Sequence, residues 1–544
     1  WNRDKVGNFS DNVRKAEAEV ARLDQCMVGG GSENDQLQLH QAQARLSRAL
    51  AMEEALWKQR SRVKWLQLGD RNTSFFHAVV KQRRMQAVIH GVQDANQEWV
   101  TEDARIGAEA IKYFSSLFSM EEAPASSEIL GVIPKLLSED DNEQLQNMPS
   151  FEEVRDVVFA MDGDSAAGPD GFTGKFFTSS WDIIGRDVYR AVLSFFCGEE
   201  LPRRVTATSI ILLAKVARPK SFSEFRPISL CNFVNKILSK ILAARLAPIL
   251  PKIISTNQSG FVRGRLISDN YLLAQELLSN MGSKVRGGNV ALKLDMMKAY
   301  DRVVWPFLIN VLRAFGFGEQ WIDMVWRLIS NVWFSMILNG SLFGFFKSAR
   351  GLRQGDPLSL ALFIIGVEVL SRSLNSLLCY RGFQRFCIPR GCPLVTHLGY
   401  ADDVLVFSSA TARSLKLVKR VLTIYEAVSG QRINAGKSCF LVHPKVCLSR
   451  KMAIQRLTGF MYKSFPIKYL GFPLYCGRRK KEYFGGLYQA ILLRLQSWQD
   501  RVLSQGGKIV LLKHVISSMP TYLLIAACPP QSIFQELEGV FANF

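Results

Sequence analysis

Two adjacent carboxylates, Asp402 and Asp403, lie between short apolar runs at residues 394–398 and 404–407. The length and composition of these runs predict a strand, a tight turn and a second strand. Successive side chains on a straight strand point to opposite faces, but at a turn two neighbouring Asp side chains can converge. Carboxylates held close together repel each other, and a divalent cation such as Mg²⁺ relieves that repulsion. Taken alone, an Asp-Asp pair at a turn is more often only solvated.

Two upstream segments carry further residue types that such a site needs. Asp295 ends an apolar, strand-like run at 290–294, although an Asp before a helix-like stretch is more often an N-cap. Segment 351–359 places glycines before an apolar helix, which lets backbone approach a ligand, although its Asp-Pro pair is also ordinary helix capping. Because Asp295 lies far from Asp402 in the chain, only the fold can bring them together.

The composition predicts a globular protein with a polyanionic partner. The chain has 544 residues, enough for about three or four domains, with 48% hydrophobic and 11% aromatic residues. Lys and Arg number 68 against 48 Asp and Glu, a net charge of +20. Nucleic acid is the expected partner, because no amphipathic basic helix that would favour an anionic membrane dominates the charge.

The remaining composition bears on compartment and completeness. No apolar run is expected to reach the roughly 18 residues of a membrane span, so no membrane partner is predicted. Ten cysteines lack a C-x-x-C pair and six histidines do not cluster near them, which argues against a zinc site and a disulfide scaffold and favours an intracellular location. The chain starts at Trp1 and stops inside a predicted helix that includes 532–537, so we expect both ends to be cut.

The elements that must position the carboxylates are mixed. Helical spacing predicts a hairpin of two helices, one over 13–27 and one over 33–65. Short strands are predicted at 210–213, 290–294 and 333–338, and helices at 232–250, 305–315 and 358–377. This alternation predicts an α+β core.

Taken in chain order, the segment that ends in Asp295, the segment at 351–359 and the segment around Asp402 resemble the palm of reverse transcriptases. The resemblance is closest to the LINE-type enzymes of non-LTR retrotransposons, and especially to those of plants. The resemblance covers about residue 53 to the C-terminus. Its further motifs lie at 65–77, 168–172, 225–230, 258–265 with Asp269 and Asn270, 429–438, 469–474 and 498–522. The chain departs from the usual pattern of the family at Ala167, Ala214, Met297 and Leu360. None of these differences removes a metal ligand.

The resemblance implies a right-hand polymerase of fingers, palm and thumb with an α-helical N-terminal extension. The implied regions are 1–125 for the helical extension and linker, 126–285 for the fingers and upstream motifs, 286–477 for the palm, and 478–544 for the start of a truncated thumb. The implied activity is RNA-directed DNA polymerase, with an RNA template, a DNA primer and dNTPs as partners and two Mg²⁺ ions, or Mn²⁺, as cofactors.

The resemblance also implies roles for individual residues. Metal ligands are Asp295, Asp402, Asp403 and the backbone carbonyl of Met296, and Lys437 is a candidate proton donor to pyrophosphate. Nucleotide-binding residues are Lys215, Arg226, Tyr300, Gln354 and Gly355, with the Tyr300 ring as a steric gate against ribose, and Gly471 and Phe472 position the primer end. An endonuclease and an RNase H domain would lie on missing parts of a polyprotein. The family implies a nuclear location, and the basic run 478–481 is either a nuclear signal or a contact with the duplex backbone.

Two alternatives stay open from the sequence. A catalytically decayed polymerase fold that only holds RNA fits the basic charge equally well. An intron-maturase-like reverse transcriptase shares the palm motifs, but the segment at 65–77 speaks against it.

Overall fold

A computed structural model describes residues 8–28, 32–61, 73–120, 128–389, 391–496, 505–527 and 529–543. The chain divides into two compact units, one of Trp1–Val88, Phe484–Leu524 and Pro529–Phe544, the other of Ile89–Tyr483 and Ile525–Cys528. All candidate site residues belong to the second unit. The four predicted regions have other boundaries than these units and stay a prediction.

The strands are β1 (Val92–Gln93), β2 (Trp99–Val100), β3 (Ala207–Ala214), β4 (Phe225–Cys231), β5 (Asn289–Asp295), β6 (Trp333–Leu338), β7 (Ser341–Lys347), β8 (His397–Tyr400), β9 (Asp403–Ser409), β10 (Cys439–Leu441), β11 (Met461–Tyr462), β12 (Ile467–Tyr469) and β13 (Phe472–Leu474).

The helices are α1 (Phe9–Val28), α2 (Glu33–Ser61), α3 (Thr73–Ala87), α4 (Asp103–Phe118), α5 (Glu139–Gln146), α6 (Phe151–Ala160), α7 (Gly174–Ser179), α8 (Trp181–Phe196), α9 (Arg203–Thr206), α10 (Phe233–Leu246), α11 (Leu250–Ile253), α12 (Ile267–Ser279), α13 (Trp305–Phe315), α14 (Glu319–Ser330), α15 (Pro357–Ser376), α16 (Ala412–Ser429), α17 (Leu448–Thr458), α18 (Gly485–Gln496), α19 (Gln505–Val510), α20 (Thr521–Ala526) and α21 (Gln531–Asn543). Single 3₁₀ turns lie at Glu128–Val132, Phe222–Glu224, Leu377–Cys379 and Lys481–Phe484, and a π-helical turn lies at Leu511–Ile516.

The mixture of helices and strands confirms the predicted α+β class. The predicted strands at 210–213, 290–294 and 333–338 correspond to β3, β5 and β6, and the predicted helices to α10, α13 and α15. Helices α1 and α2 form the predicted pair and pack against each other. The motif segments 65–72 and 498–504 lie outside the described residues.

A five-stranded sheet in the order β11-β10-β5-β9-β8 carries the carboxylates. Its two inner neighbours, β5 and β9, are antiparallel and buried on both faces, which explains why their sequences are nearly continuous apolar runs. Val290, Leu292 and Leu294 of β5 share one core with Val404 and Val406 of β9 and with the helices packed on the sheet. The sheet is therefore fixed from both sides up to the residues that end β5 and begin β9.

Helix α15 is the central core helix of this unit. Asp356 is its N-cap: the carboxylate accepts a hydrogen bond from the Leu358 amide at 3.0 Å, and Pro357 is the first helical residue. Two helical stretches in the described part, Pro357–Cys379 and Lys508–Ala526, are long and apolar enough to cross a membrane, so the expectation that none would be is wrong. The first is 83% buried within the protein, as a core helix should be, and the second 11%.

A four-stranded sheet in the order β4-β3-β6-β7 forms a second layer. Strand β3 is antiparallel to β4 and parallel to β6, and α4 packs on β6 and β7. Phe114 and Phe118 of α4 lie in one apolar cluster with Phe334 and Met336 of β6. The turn between β3 and β4 is thereby held at the edge of a rigid layer.

Arg245 of α10 is joined by hydrogen bonds to α6 and to the C-terminal end of α5. Its guanidinium donates to both carboxylate oxygens of Glu153 on α6 at 2.9 and 2.8 Å, and to the main-chain carbonyls of Leu145 and Asn147. The Arg245 side chain is 12% exposed and that of Glu153 33%. A bidentate pair this sheltered is worth more than an exposed one.

We predict that Arg245→Met lowers the free energy of unfolding by about 2 kcal/mol, because it leaves a carboxylate and two carbonyls without their donor. Urea unfolding followed by tryptophan fluorescence would measure the loss. The matched control is Arg313→Met, which removes an equally bidentate pair with Glu319 whose side chains are 50% and 68% exposed. Equal losses of unfolding free energy in the two variants would contradict a greater contribution from the sheltered Arg245–Glu153 pair.

His397 of β8 is a buried, neutral histidine. It is 2% exposed, and its ring nitrogens lie 2.7 Å from the Ser371 hydroxyl and 2.9 Å from the Thr396 hydroxyl. Burial lowers the pKa of His397 to about 3. Below about pH 6.5 the imidazole is protonated in the unfolded chain but stays neutral in the native chain. The free energy of unfolding is therefore highest above that pH and decreases as the pH falls.

We predict that His397 lowers the free energy of unfolding of the parent chain by about 2 kcal/mol when the pH is lowered from about 7 to about 5. His397→Gln cannot titrate and should lose less stability over the same interval. The measurement is the difference between the two urea-unfolding free energies at each pH, which cancels the other titrating groups. Parallel pH dependences would show that His397 is protonated in the native chain.

Candidate active site

The predicted strand, turn and strand around the paired carboxylates are present. Tyr400 of β8 pairs with Asp403 of β9, so Ala401 and Asp402 form a two-residue turn. The first strand begins at His397, later than the apolar run from residue 394 suggests. Ala401 has a φ of +54°, a left-handed conformation that costs a residue with a Cβ about 1–2 kcal/mol. The turn therefore needs support from its surroundings.

The antiparallel register of β5 and β9 brings the third carboxylate to the turn. Asp295, the last residue of β5, is the direct register partner of Asp403. Asp402 follows β8 in the adjacent turn. The structure thus brings together all three carboxylates that the resemblance assigned to the metal site.

The electrostatics of this group reflect its like charges. Solvent reaches the Asp402 side chain, yet desolvation by the surrounding protein, together with repulsion from Asp403 and Asp295, raises its pKa above the ordinary value. Arg226 offsets part of this effect. Asp403 also has a cationic neighbour, Lys293, whose Nζ lies 3.4 Å from its Oδ1.

The donor set suits a divalent cation by its chemistry. Carboxylate oxygens are the ligands that Mg²⁺ and Mn²⁺ prefer, and an ion between them would relieve the repulsion that raises the pKa of Asp402. Within the described ranges, no three acidic, His or Cys side chains already stand close enough to hold an ion. The carboxylates must therefore converge further around any ion they bind.

The segment after α16 holds the backbone of Asp295. The Ser438 hydroxyl accepts a hydrogen bond from the Asp295 amide at 3.0 Å, and the Asn434 amide donates to the Asp295 carbonyl at 2.8 Å. Met296 forms an isolated antiparallel bridge with Ile433. Lys437 lies on this same short segment, so it is tied to the strand that ends in Asp295.

Three cationic side chains belong to the same electrostatic neighbourhood. Lys215 follows β3, and Arg226 pairs with the next-to-last residue of β3. Desolvation, then repulsion from Lys437 and Arg226, lowers the pKa of Lys215, while Asp301 and Asp295 act in the opposite direction. The cations predicted to hold a triphosphate thus lie within electrostatic reach of the carboxylates.

Gln354 links the glycine-containing loop to the segment after Asp295. Its side-chain Nε2 donates a hydrogen bond to Asp301 at 2.9 Å, and its main-chain carbonyl accepts one from the Ser229 amide of β4 at 2.8 Å. The neighbouring Gly355 has a φ of +113°, which only glycine adopts readily. Burial raises the pKa of Asp301 to about 6. The sequence analysis gives Asp301 no role, and its hydrogen bond with Gln354 is visible only in the fold.

Tyr300 presents an aromatic ring close to the carboxylates. It stacks on Phe363 of α15 with a centroid distance of 4.3 Å and an interplanar angle of 25°. Its hydroxyl is buried and has no hydrogen-bond partner among the described residues. Desolvation, and then the charge of Asp402, raises the pKa of Tyr300.

The predicted primer-positioning residues lie on the β12–β13 hairpin. Leu470 and Gly471 both have positive φ, as a two-residue type I′ turn requires. Phe472 is fully buried and stacks on Tyr271 of α12 at 4.6 Å, so its side chain serves packing. Burial, and then the charge of Asp403, raises the pKa of Tyr469 at the base of the hairpin. The hairpin therefore lies within electrostatic range of the carboxylates.

Comparison with known proteins identifies the family. Residues 218–474 match the family described as reverse transcriptase (RNA-dependent DNA polymerase), a span that includes β4, the glycine-containing loop and the three carboxylates. Lys215 lies just outside the matched span.

Two of three similar proteins are named for transposable elements. The Transposon TX1 uncharacterized 149 kDa protein of Xenopus laevis is 28% identical over 559 residues, covering 99% of this chain and 41% of that protein. The Retrovirus-related Pol polyprotein from type-2 retrotransposable element R2DM of Drosophila melanogaster is 28% identical, over 56% of this chain and 28% of its own length. An uncharacterized mitochondrial protein of Arabidopsis thaliana is 34% identical over 102 residues, 18% of this chain and 75% of that protein.

The chain spans less than half the length of the first two relatives. The particular affinity to plant elements stays a prediction. The matched domain and the retrotransposon relatives agree with the order of the motifs and with the three carboxylates that the fold assembles. Residues 218–474 of the chain therefore form a domain of the reverse transcriptase family, and the relatives over the longest spans are proteins of non-LTR retrotransposons.

Proposed function

We propose that this chain is the RNA-directed DNA polymerase of a non-LTR retrotransposon, adding dNTPs to a primer 3′-hydroxyl along an RNA template. The observation that carries the proposal is the register pairing of Asp295 with Asp403, beside Asp402 in the turn. Lys215 and Arg226 add the positive charge that a triphosphate needs close to those carboxylates. We assign β3 and β4 to the fingers, the five-stranded sheet to the palm and the chain after residue 477 to the thumb.

Asp295 and Asp402 would hold the divalent ions, with Asp403 and the Met296 carbonyl completing the set. Two Mg²⁺ ions, or Mn²⁺, would stabilise the attacking and leaving oxygens of the in-line displacement when bound. Ser438 and Asn434 keep the backbone of Asp295 in place through their hydrogen bonds. A fixed backbone matters because small misplacements of a catalytic group cost large factors in rate.

The cations bind and orient the nucleotide. The planar guanidinium of Arg226 suits bidentate contact with phosphate, and Lys215 supplies a second, compact charge. Mutual repulsion with Lys437 and Arg226 contributes to the lowered pKa of Lys215, so an incoming triphosphate would relieve it. Lys437 would donate a proton to the departing pyrophosphate or stabilise its charge.

Gln354, Gly355 and Tyr300 form the pocket for base and sugar. Asp301 fixes the orientation of the Gln354 amide through a 2.9 Å hydrogen bond. The stack on Phe363 restricts the Tyr300 ring, which would make it an effective gate against a ribose 2′-hydroxyl. Gly471 would approach the primer end with its backbone, since the Phe472 side chain is buried.

The partners follow from this reaction. The substrates would be an RNA template, a DNA primer and dNTPs, and the charge of +20 suits contact with their phosphate backbones. An endonuclease and an RNase H domain would belong to the remainder of a longer polyprotein. A chain that binds RNA in a salt-dependent manner but extends no primer would instead be a decayed polymerase fold.

We predict that Asp402→Asn reduces primer extension on an RNA template by at least about 100-fold, because it removes an ionic ligand whose metal contributes several kcal/mol to the transition state. The measurement is single-turnover extension with dNTPs and Mg²⁺. Asp323→Asn is the matched control: it removes an exposed carboxylate paired with Arg327 on α14 and should retain extension. Extension by Asp402→Asn at the parent rate would refute the mechanism.

We predict that Tyr300→Val lowers the ratio of kcat/KM for dNTPs to that for rNTPs by at least about tenfold, because the ring no longer occupies the space of the 2′-hydroxyl. Steady-state incorporation of matched dNTP and rNTP pairs measures this ratio. Tyr300→Phe keeps the ring and loses a hydroxyl that has no partner among the described residues, so it should select like the parent. Unchanged selectivity in Tyr300→Val would place the gate elsewhere.

A further inference from the structure

Gln258 places a buried amide directly against the turn that carries Asp402. The side chain is 2% exposed. Its Oε1 accepts hydrogen bonds from the amides of Ala401 and Gly260, each at 2.9 Å, and its Nε2 donates to the Ala401 carbonyl at 3.4 Å. One side chain therefore engages both main-chain polar groups of the first turn residue.

The backbone around Gln258 is attached to the preceding strand. The Gly399 amide donates to the Asn257 carbonyl at 2.8 Å, and the Ser259 amide donates to the Gly399 carbonyl at 2.9 Å. These bonds form an isolated parallel bridge between Gln258 and Gly399. The Asn270 side chain also donates to the Gly399 carbonyl, at 2.9 Å. Residues 257–259 thus extend the sheet beyond its edge strand β8.

The close approach depends on two glycines. A Cβ on Gly260 would lie 2.5 Å from the Ala401 amide nitrogen, and a Cβ on Gly399 would lie 3.1 Å from Gln258 Nε2. A side chain at position 260 would push the Gln258 segment away from the turn, and one at position 399 would crowd the Gln258 amide itself. Backbone contact at this distance allows the amide of Gln258 to reach Ala401.

The turn needs such a contact because Ala401 is strained. Its left-handed φ of +54° is unfavourable for a residue with a Cβ, and strained residues persist only where their surroundings over-determine them. If the turn relaxed, Asp402 would shift relative to Asp295, which β5 holds in place. A shift of about 1 Å in a catalytic group costs about 100-fold in rate.

We propose that Gln258 is a positioning residue that holds Ala401 in its strained conformation and thereby aims Asp402 at Asp295. The consequence for catalysis rests on the proposed polymerase function. The restraint of the turn does not, since it is a property of the native chain without substrate.

The test compares Gln258→Leu with the parent in two measurements. Hydrogen exchange of a peptide spanning 399–403, in the full chain without substrate, should be faster by about 10- to 100-fold, because the Ala401 amide loses its buried acceptor. In primer extension, kcat should fall by about 10- to 100-fold while the KM for dNTP changes by less than about threefold. A general loss of folding would instead accelerate exchange throughout the unit.

Two further variants separate positioning from packing. Gln258→Met keeps the length of the side chain but removes its acceptor and its donor, so it should show the same fast exchange at 399–403 as Gln258→Leu. Ala401→Gly, made in the Gln258→Leu background, removes the strain of the left-handed residue and should recover kcat by about fivefold. The matched control is Gln384→Leu, whose buried amide oxygen has no hydrogen-bond partner among the described residues and which should leave exchange at 399–403 unchanged.

The outcomes distinguish the two proposals. Parent-like exchange at 399–403 in Gln258→Leu would overturn the role of Gln258, whatever the extension rate. Faster exchange with unchanged kcat would also overturn it, because the turn would then be free without harm to catalysis. If the parent chain extends no primer, the polymerase function fails, and faster local exchange would still establish that Gln258 restrains the turn.

Discussion

The site depends on one constraint, the antiparallel register of β5 and β9. Because both strands are packed on both faces, a slip by one residue would exchange the faces and place each side chain in a space shaped for another. The hydrophobic core therefore fixes the register, and the register makes Asp295 the partner of Asp403. Packing of the apolar residues within this seven-pair register determines where the charged chemistry takes place.

Polar side chains convert this register into a defined local geometry. Ser438 and Asn434 hold the backbone at Asp295, and Gln258 holds the turn before Asp403. Asn270 connects the same region to the β12–β13 hairpin, since it accepts from the Tyr469 hydroxyl at 2.8 Å and donates to the Gly399 carbonyl. Buried polar groups of this kind are costly when unpaired, so a fully paired set favours a single arrangement.

Charge around the site is arranged in opposing groups. Desolvation, and then repulsion from the other two carboxylates, raises the pKa of Asp402, while desolvation, and then repulsion among the cations, lowers the pKa of Lys215. Each group lacks part of its counter-charge, and a divalent cation and a polyphosphate would supply these parts. The arrangement suits a site whose ligands are themselves highly charged.

The sequence by itself determined the elements, because their apolar periodicity reflects burial directly: β3, β5, β6, α10, α13 and α15 were all predicted. It also supplied the family, because motif order survives at 28% identity. Yet the apolar run before Asp402 suggested a strand from residue 394, and only the pairing with β9 shows that it begins at His397. The predicted helix over 358–377 was already long enough to span a membrane, and only the structure shows that it is largely buried within the protein, since burial in a core and in a lipid select the same residues.

Only the tertiary structure decided which polar residues act together. Nothing in the local sequence of Gln258, Asp301 or Ser438 names its partner, because hydrogen bonds between segments far apart in the chain leave no periodic signal. The fold brought Gln258 to Ala401 and Asp301 to Gln354, and it buried Phe472 away from the surface. The sequence thus determined that three carboxylates and the motifs of the family are present, while long-range packing decided how these residues are oriented.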